Sequence, residues 1–241
     1  MESKQLTDIE MRRYSRQIML DELGKVGQKK LKNARVLVVG VGGTGSPVLT
    51  YLSAAGIGTI GICDNDLVVE NNFQRQIIYG LSDLGKQKAI VAKQKLQNFN
   101  SINEYNIHNI FITDENADFL LKNYDIVVDC TDNIAARFVI NDACKRKGIP
   151  MVFGGIYKYE GQVSVFNYNG GPDIYAIYPE RINDNDLPKA SSTGVLGMIP
   201  GVVGCLQANE VIKIIAGIGQ VLSGKMIVFN MLFPKFEIVE F

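Results

Sequence analysis

Apolar and polar positions along the chain fall into two alternating rhythms. Arg35–Val39 and Thr59–Cys63, with residues 125–129, are short apolar runs rich in β-branched side chains, the pattern of strands covered on both faces. Residues 105–112 alternate like a further strand, and residues 151–153 form another apolar run. Between these runs the spacing turns helical, over residues 46–55, 85–99, 115–122 and 133–147. In front of them, residues 7–16 predict a short helix with Thr7 as cap and Glu10 three residues later, and residues 24–31 predict a second. After Gly155 the style changes. Residues 161–168 alternate as a strand, and residues 200–216 read as a helix with Pro200 in its first turn. Lys225–Asn230 and Lys235–Glu240 read as a closing antiparallel pair. Residues 173–193 are polar, carry Pro179 and Pro188 and show no period; a stretch of that length is usually functional or mobile.

Strands alternating with helices predict an α/β fold, a mostly parallel sheet flanked by helices with antiparallel strands at its C-terminal end. The 241 residues fit one domain, read as a helical extension (1–33), a first half of alternating strands and helices (34–155) and a second half (156–241).

Charge narrows the function. Lys+Arg and Asp+Glu are both 25, so no global basic field draws the chain to nucleic acid. The first ten residues are polar and mixed in charge, unlike a signal peptide. The most apolar stretch, 195–206, is interrupted by Pro200 and soon followed by Gln207, Asn209, Glu210 and Lys213, which argues against a bilayer span. Cys63, Cys130, Cys144 and Cys205 form no CxxC pair, and His108 is the one histidine, so a Cys/His zinc site is not expected. His108 lies in a strand far along the chain from the chemical motifs and reads as a plain surface or core residue. A cytoplasmic protein is expected.

The chemistry concentrates at predicted strand ends. Gly40, Gly42, Gly43 and Gly45 lie in GVGGTG, between a strand and a helix. The first glycine of such a motif permits a tight turn, the second a close phosphate, and the third close helix packing. Asp64 closes the next strand 19 residues after Gly45, where an acid accepts hydrogen bonds from ribose hydroxyls. On these residues alone a nicotinamide-dependent oxidoreductase stays open. The block NNFQRQ, with Asn72 and Arg75, adds amides and an arginine, and Lys86 and Lys88 open the next helix. Such cations suit a triphosphate, although Lys86 alone reads as part of a solvated turn. Asp132, in DCTDN after the strand 125–129, is placed to hold magnesium beside phosphates; it also reads as a helix cap.

RYSRQ (residues 13–17), GVGGTG, NNFQRQ, the Lys88 helix and DCTDN, in this order, make the chain resemble the ThiF/MoeB family, bacterial relatives of ubiquitin-activating enzymes. The resemblance runs from Tyr14 to the helix around 204–217 and implies a Rossmann-like fold. It also implies adenylation, with ATP and magnesium, of the C-terminal glycine of a small ubiquitin-like sulfur carrier ending in Gly-Gly, for thiamine or molybdopterin synthesis. The family's adenylation residues match Arg16, Asp64, Asn72, Arg75, Lys88 and Asp132. The arginine matching Arg16 reaches into a partner subunit's site in the family, which implies a homodimer. In that reading residues 34–155 are the nucleotide-binding half and residues 156–241 bind the carrier, with a crossover loop at about 173–193.

Two departures stand out. Many members bind structural zinc through two CxxC pairs; here Ile174 and Ile177 occupy the first, and the second would fall beyond Phe241, so no zinc is expected. Some members carry a cysteine just before the Ser/Thr-Gly-Val segment, where this chain has Lys189 to Gly194 and no cysteine. A catalytically silent binding module of the same fold is the remaining alternative.

Overall fold

The computed structural model of the chain describes residues 4–182 and 194–241. The N-terminal segment forms α1 (Asp8–Arg13) and α2 (Ser15–Ile18), followed by α3 (Gly24–Asn33). The expected capping box is present: the Thr7 hydroxyl accepts the Glu10 N–H, and the Glu10 carboxylate accepts the Thr7 N–H. The single helix expected over 7–16 is broken at Tyr14, which is buried against Gly56 and accepts a hydrogen bond from Asn100.

The core alternates as expected: β1 (Arg35–Val39), α4 (Gly45–Ala55), β2 (Thr59–Cys63), α5 (Lys88–Phe99), β3 (Glu104–His108), α6 (Ala117–Leu120), β4 (Ile126–Asp129), α7 (Ile134–Lys147) and β5 (Met151–Tyr157). Then follow β6 (Glu160–Phe166), α8 (Met198–Ala216), β7 (Lys225–Asn230) and β8 (Lys235–Glu240). All eight strands join one sheet in the order β3-β2-β1-β4-β5-β6-β7-β8. Strands β1 to β5 are mutually parallel, and β6, β7 and β8 each add antiparallel.

Several boundaries differ from expectation. The strand expected over 105–112 ends at His108, where its pairing with β2 ends. The helix expected from Gly85 starts at Lys88, because Gly85 takes a left-handed φ of 74° and Gln87 is extended in a bridge to Leu67. The helix expected over 115–122 gives way to a 3-10 turn at Leu121–Asn123. β5 runs past Phe153 because β6 pairs with it as far as Tyr157. Within 173–193, Ile174–Ala176 is a 3-10 turn, and residues 183–193 lie outside the described residues.

Successive β1 residues point to opposite faces, and both faces are covered. Val36 and Val38 pack with Leu49, Leu52, Val203 and Val211; Leu37 and Val39 pack with Phe138, Ile140 and Phe153. α8 is long and apolar enough to cross a bilayer by composition, yet it packs against α4, β5 and β6.

Backbone proximity fixes the turn after β1. Gly40 has φ 93°, and a Cβ there would lie 2.5 Å from the Cys130 carbonyl oxygen; one on Gly45 would lie 2.0 Å from the Gly40 oxygen. Around Gly42 the nearest atom to an added Cβ is Gln76 Nε2 at 3.7 Å, so packing leaves that position free. Gly45→Ala should therefore cost about 3 kcal/mol in urea denaturation, while Gly42→Ala stays within about 0.5 kcal/mol of the parent. Equal urea midpoints for the two variants would contradict this contrast.

Candidate active site

The glycine turn sits at the carboxyl end of β1, where open parallel sheets bind ligands. It opens directly into α4, whose cap residue Thr44 makes no side-chain cap and whose first turn carries no acid. The Ser46 N–H is taken by the Gly42 carbonyl at 3.0 Å and Pro47 has none, so the N–H groups left for an anion are those of the turn up to Gly45, with the positive end of the helix dipole behind them. Ser46 Oγ donates to the Gly42 carbonyl at 2.8 Å, and Tyr79 OH donates to the Val41 carbonyl at 3.0 Å. α8 closes one side. A Cβ on Gly43 would lie 2.9 Å from Pro200 and one on Gly204 2.4 Å from the Thr44 carbonyl oxygen.

Asp64 follows β2 and accepts hydrogen bonds from the Val41 N–H at 2.7 Å and the Asp66 N–H at 2.8 Å. Burial pushes its carboxyl above the ordinary carboxylate value; the two N–H groups and Lys88 pull it back only partly. Lys88, the first residue of α5, is buried, and its ammonium pairs with Asp66 at 2.8 Å. Asp66 is thus a site residue that the sequence reading missed. The signal available for it was an acid two positions after the ribose acid.

Arg75 lies over the turn. Its Cγ is 3.4 Å from the position of a Cβ on Gly43, and its guanidinium donates to the Asn71 carbonyl at 3.0 Å. Asn72 is buried and engaged locally: its Oδ1 accepts the Val69 N–H and its Nδ2 donates to Asn71. Its side chain shapes the segment that carries Arg75. Gln76 is also buried, with its amide beside Gly42 and its Oε1 without a hydrogen-bond partner among the described residues.

The opposite wall is the corner between β4 and α7. Asp129, fully buried, pairs with Arg137 at 2.8 Å and accepts from the Thr131 N–H at 3.0 Å and the Thr131 hydroxyl at 2.6 Å. Arg137 also donates to the Thr131 and Gly154 carbonyls and lies over the Phe153 ring at 4.6 Å. The Gln207 amide donates to the Asp129 carbonyl at 2.7 Å, tying α8 to the same corner. Asp129, Arg137 and Gln207 escaped the sequence reading because their partners lie 8 to 78 positions away. The corner leaves Asp132 exposed. The cap of α7 is Asn133, whose Oδ1 accepts the Ala136 N–H at 2.8 Å. The reading of Asp132 as that helix cap is therefore corrected.

Gly40, Gly42, Gly43, Gly45, Asp64, Asn72, Arg75, Lys88 and Asp132 thus gather around one turn or flank it. Arg16 does not join them. It is exposed on α2, whose Gln17 donates to the Ala55 carbonyl at the far end of α4. With 11 residues, α4 spans about 16 Å. His108 is a half-buried structural residue, as expected, although it lies nearer the site than its place in the chain suggested. It ends β3 beside the site, where its carbonyl accepts the Asp64 N–H at 3.2 Å, while its ring turns to the Tyr124 hydroxyl at 2.7 Å. Burial holds that imidazole below its ordinary value. Three of the cysteines are buried, and burial pushes the Cys63 thiol to about 12, which suits packing rather than nucleophilic chemistry. Cys205 is exposed on α8.

The chain has known relatives. The chain is 43% identical over 235 residues to a probable molybdopterin-synthase adenylyltransferase of Porphyra purpurea, covering 95% of this chain and 61% of that protein. It is 40% identical over 236 residues to a sulfur carrier protein adenylyltransferase of Thermus thermophilus, covering 96% and 87%. The chain thus spans about three-fifths of the length of the first relative and most of the second. The crystal structure of E. coli MccB with ATP superposes with a TM-score of 0.80 at 26% identity, covering 95% of this chain and 71% of that one. The ThiF family pattern matches residues 14–241, so the chain belongs to the ThiF family.

Proposed function

We propose that the chain is an ATP-dependent adenylyltransferase that activates the C-terminal carboxylate of a small ubiquitin-like sulfur carrier ending in Gly-Gly. The observation that carries this reading is the uncapped amino end of α4 between Arg75, Lys88 and the exposed Asp132. A nicotinamide oxidoreductase would use the glycines and Asp64 but leave those three residues idle. The relatives' names support a sulfur carrier or molybdopterin synthase as the target class. Thiamine synthesis is the other pathway compatible with the family.

In this reading a carboxylate oxygen of the carrier attacks the α-phosphorus of ATP. The new P–O bond forms as the bond to pyrophosphate breaks, leaving a carrier acyl-adenylate. Carboxylate and phosphates repel one another, so positioning and charge neutralisation supply most of the rate. Arg75 and Lys88 neutralise phosphate charge, the glycine turn leading into α4 donates N–H groups, and Asp64 holds the ribose. Lys88 already has Asp66 as counter-ion, which fixes its position before ligand arrives. One exposed carboxylate beside a phosphate site fits magnesium, which usually takes one or two protein carboxylates together with substrate phosphates, and Asp132 would hold it. When bound, the ion supplies further neutralisation of phosphate charge.

Arg16 lies about one helix length from its own glycine turn, so in this reading it serves the site of a second copy, and the enzyme is a homodimer. Zinc has no place in it. Ile174 is fully buried, and Ile177 packs in the same apolar cluster as Phe138 and Phe166.

Asp132→Ala should lower ATP–pyrophosphate exchange, measured with a carrier, by on the order of 10²–10³. Its melting temperature should stay at the parent value, because Asn133 supplies the cap. Parent-level exchange would remove Asp132 from the reaction. Arg16→Ala and Arg75→Ala proteins, each nearly inactive, should recover part of their exchange activity when mixed under conditions that exchange subunits. No recovery after proven exchange would refute a shared site. Elemental analysis should find far less than one zinc per chain; stoichiometric zinc would overturn the apolar replacement at Ile174 and Ile177.

A further inference from the structure

Gln76 stands out among the buried polar side chains near the glycine turn. It is 3% exposed, and its Oε1 has no hydrogen-bond partner among the described residues. Leaving a buried carbonyl oxygen unpaired is unfavourable, and buried amides are ordinarily satisfied. The amide is also well placed to meet a ligand. Its Nε2 lies 3.7 Å from where a Cβ on Gly42 would be, and that is the one atom an added Cβ would meet there. Gly42 takes no positive φ and avoids no backbone clash, so the missing side chain opens a small space between turn and amide.

We propose that Gln76 is a nucleotide-binding residue whose Oε1 accepts a hydrogen bond from a sugar hydroxyl of bound ATP. The inference rests on the adenylyltransferase reading and deepens it. A carbonyl oxygen needs a donor, and the ionised phosphates of ATP offer only acceptors. The donors on ATP are the sugar hydroxyls and the adenine amino group. The sugar is the nearer candidate because Asp64, its expected partner, binds the N–H of Val41, the residue next to Gly42. Asp64 and Gln76 then hold the sugar from two sides of the Val41–Gly42 peptide. The unpaired oxygen is the cost of keeping this acceptor ready in the empty enzyme, and the packing around it holds the amide in place without ligand.

Isothermal titration of wild type and Gln76→Met with ATP and magnesium tests this. Methionine keeps the side-chain shape and removes the unpaired oxygen, so the ligand-free melting temperature should hold or rise while Kd weakens about tenfold. Gln76→Asn, which keeps the amide but withdraws it by one methylene, should show the same weakening and serves if the methionine variant fails to fold. The titrations are then repeated with 2′-deoxy-ATP and 3′-deoxy-ATP. With the analogue that lacks the accepted hydroxyl, wild type and variant should bind equally. Equal ATP affinity for wild type and both variants overturns the role of Gln76 and leaves the adenylyltransferase reading standing. A full penalty with both analogues overturns the sugar contact. Failure of wild type to bind ATP at all overturns the functional reading itself, and this inference with it.

Discussion

The site depends on one close approach of backbone to backbone. The turn after β1 passes so near the end of β4 that a side chain at Gly40 would overlap the Cys130 carbonyl, and one at Gly45 would overlap the turn itself. Only with both positions bare can the chain turn from β1 into α4 so close to the β4–α7 corner. α8 repeats the device from the other side, where Gly204 admits the Thr44 carbonyl and Pro200 rests against Gly43. Three separate stretches of chain thereby meet within a few ångströms.

Electrostatics then decides which of these groups are free to act. Two charged pairs form: Lys88 with the exposed Asp66, which positions the ammonium, and Arg137 with Asp129, which is closed. The second is buried and satisfied further by Thr131, Gly154 and the Phe153 face, so it braces the corner and leaves Asp132 outside it. Removing either partner would strand a buried charge, which explains why so much hydrogen bonding converges on one short loop. Asp64 is the contrasting case. Its carboxyl is held up by burial, and two backbone N–H groups keep it oriented while each oxygen retains capacity for another donor.

α4 also acts as a spacer. Its amino end belongs to the glycine turn, and its carboxyl end receives Gln17 from α2 and Gln28 from α3. The N-terminal helices are thereby anchored at a fixed distance from the site, with Tyr14 wedged on Gly56 and the Lys32–Glu10 pair locking α1 to α3. Arg16 is carried on this support, exposed and about one helix length from its own glycine turn.

Much of this was legible in the residues. Period and β-branching gave Arg35–Val39, Thr59–Cys63, Lys225–Asn230 and Lys235–Glu240 to the residue, because a strand buried on both faces or a short hairpin writes its limits locally. The glycine motif located the turn, since only glycine tolerates a φ of 93° at Gly40 or the contact at Gly45. Family motifs named Arg75, Lys88 and Asp132. What the tertiary structure alone decided was pairing over distance. It made Asn133 rather than Asp132 the cap of α7, bonded Asp129 to Arg137, brought His108 beside Asp64, and left the Gln76 Oε1 without a partner among the described residues. A sequence displays the groups that can hydrogen-bond or carry charge. Which of them are satisfied, and which remain open to a ligand, depends on neighbours that only the folded sheet supplies.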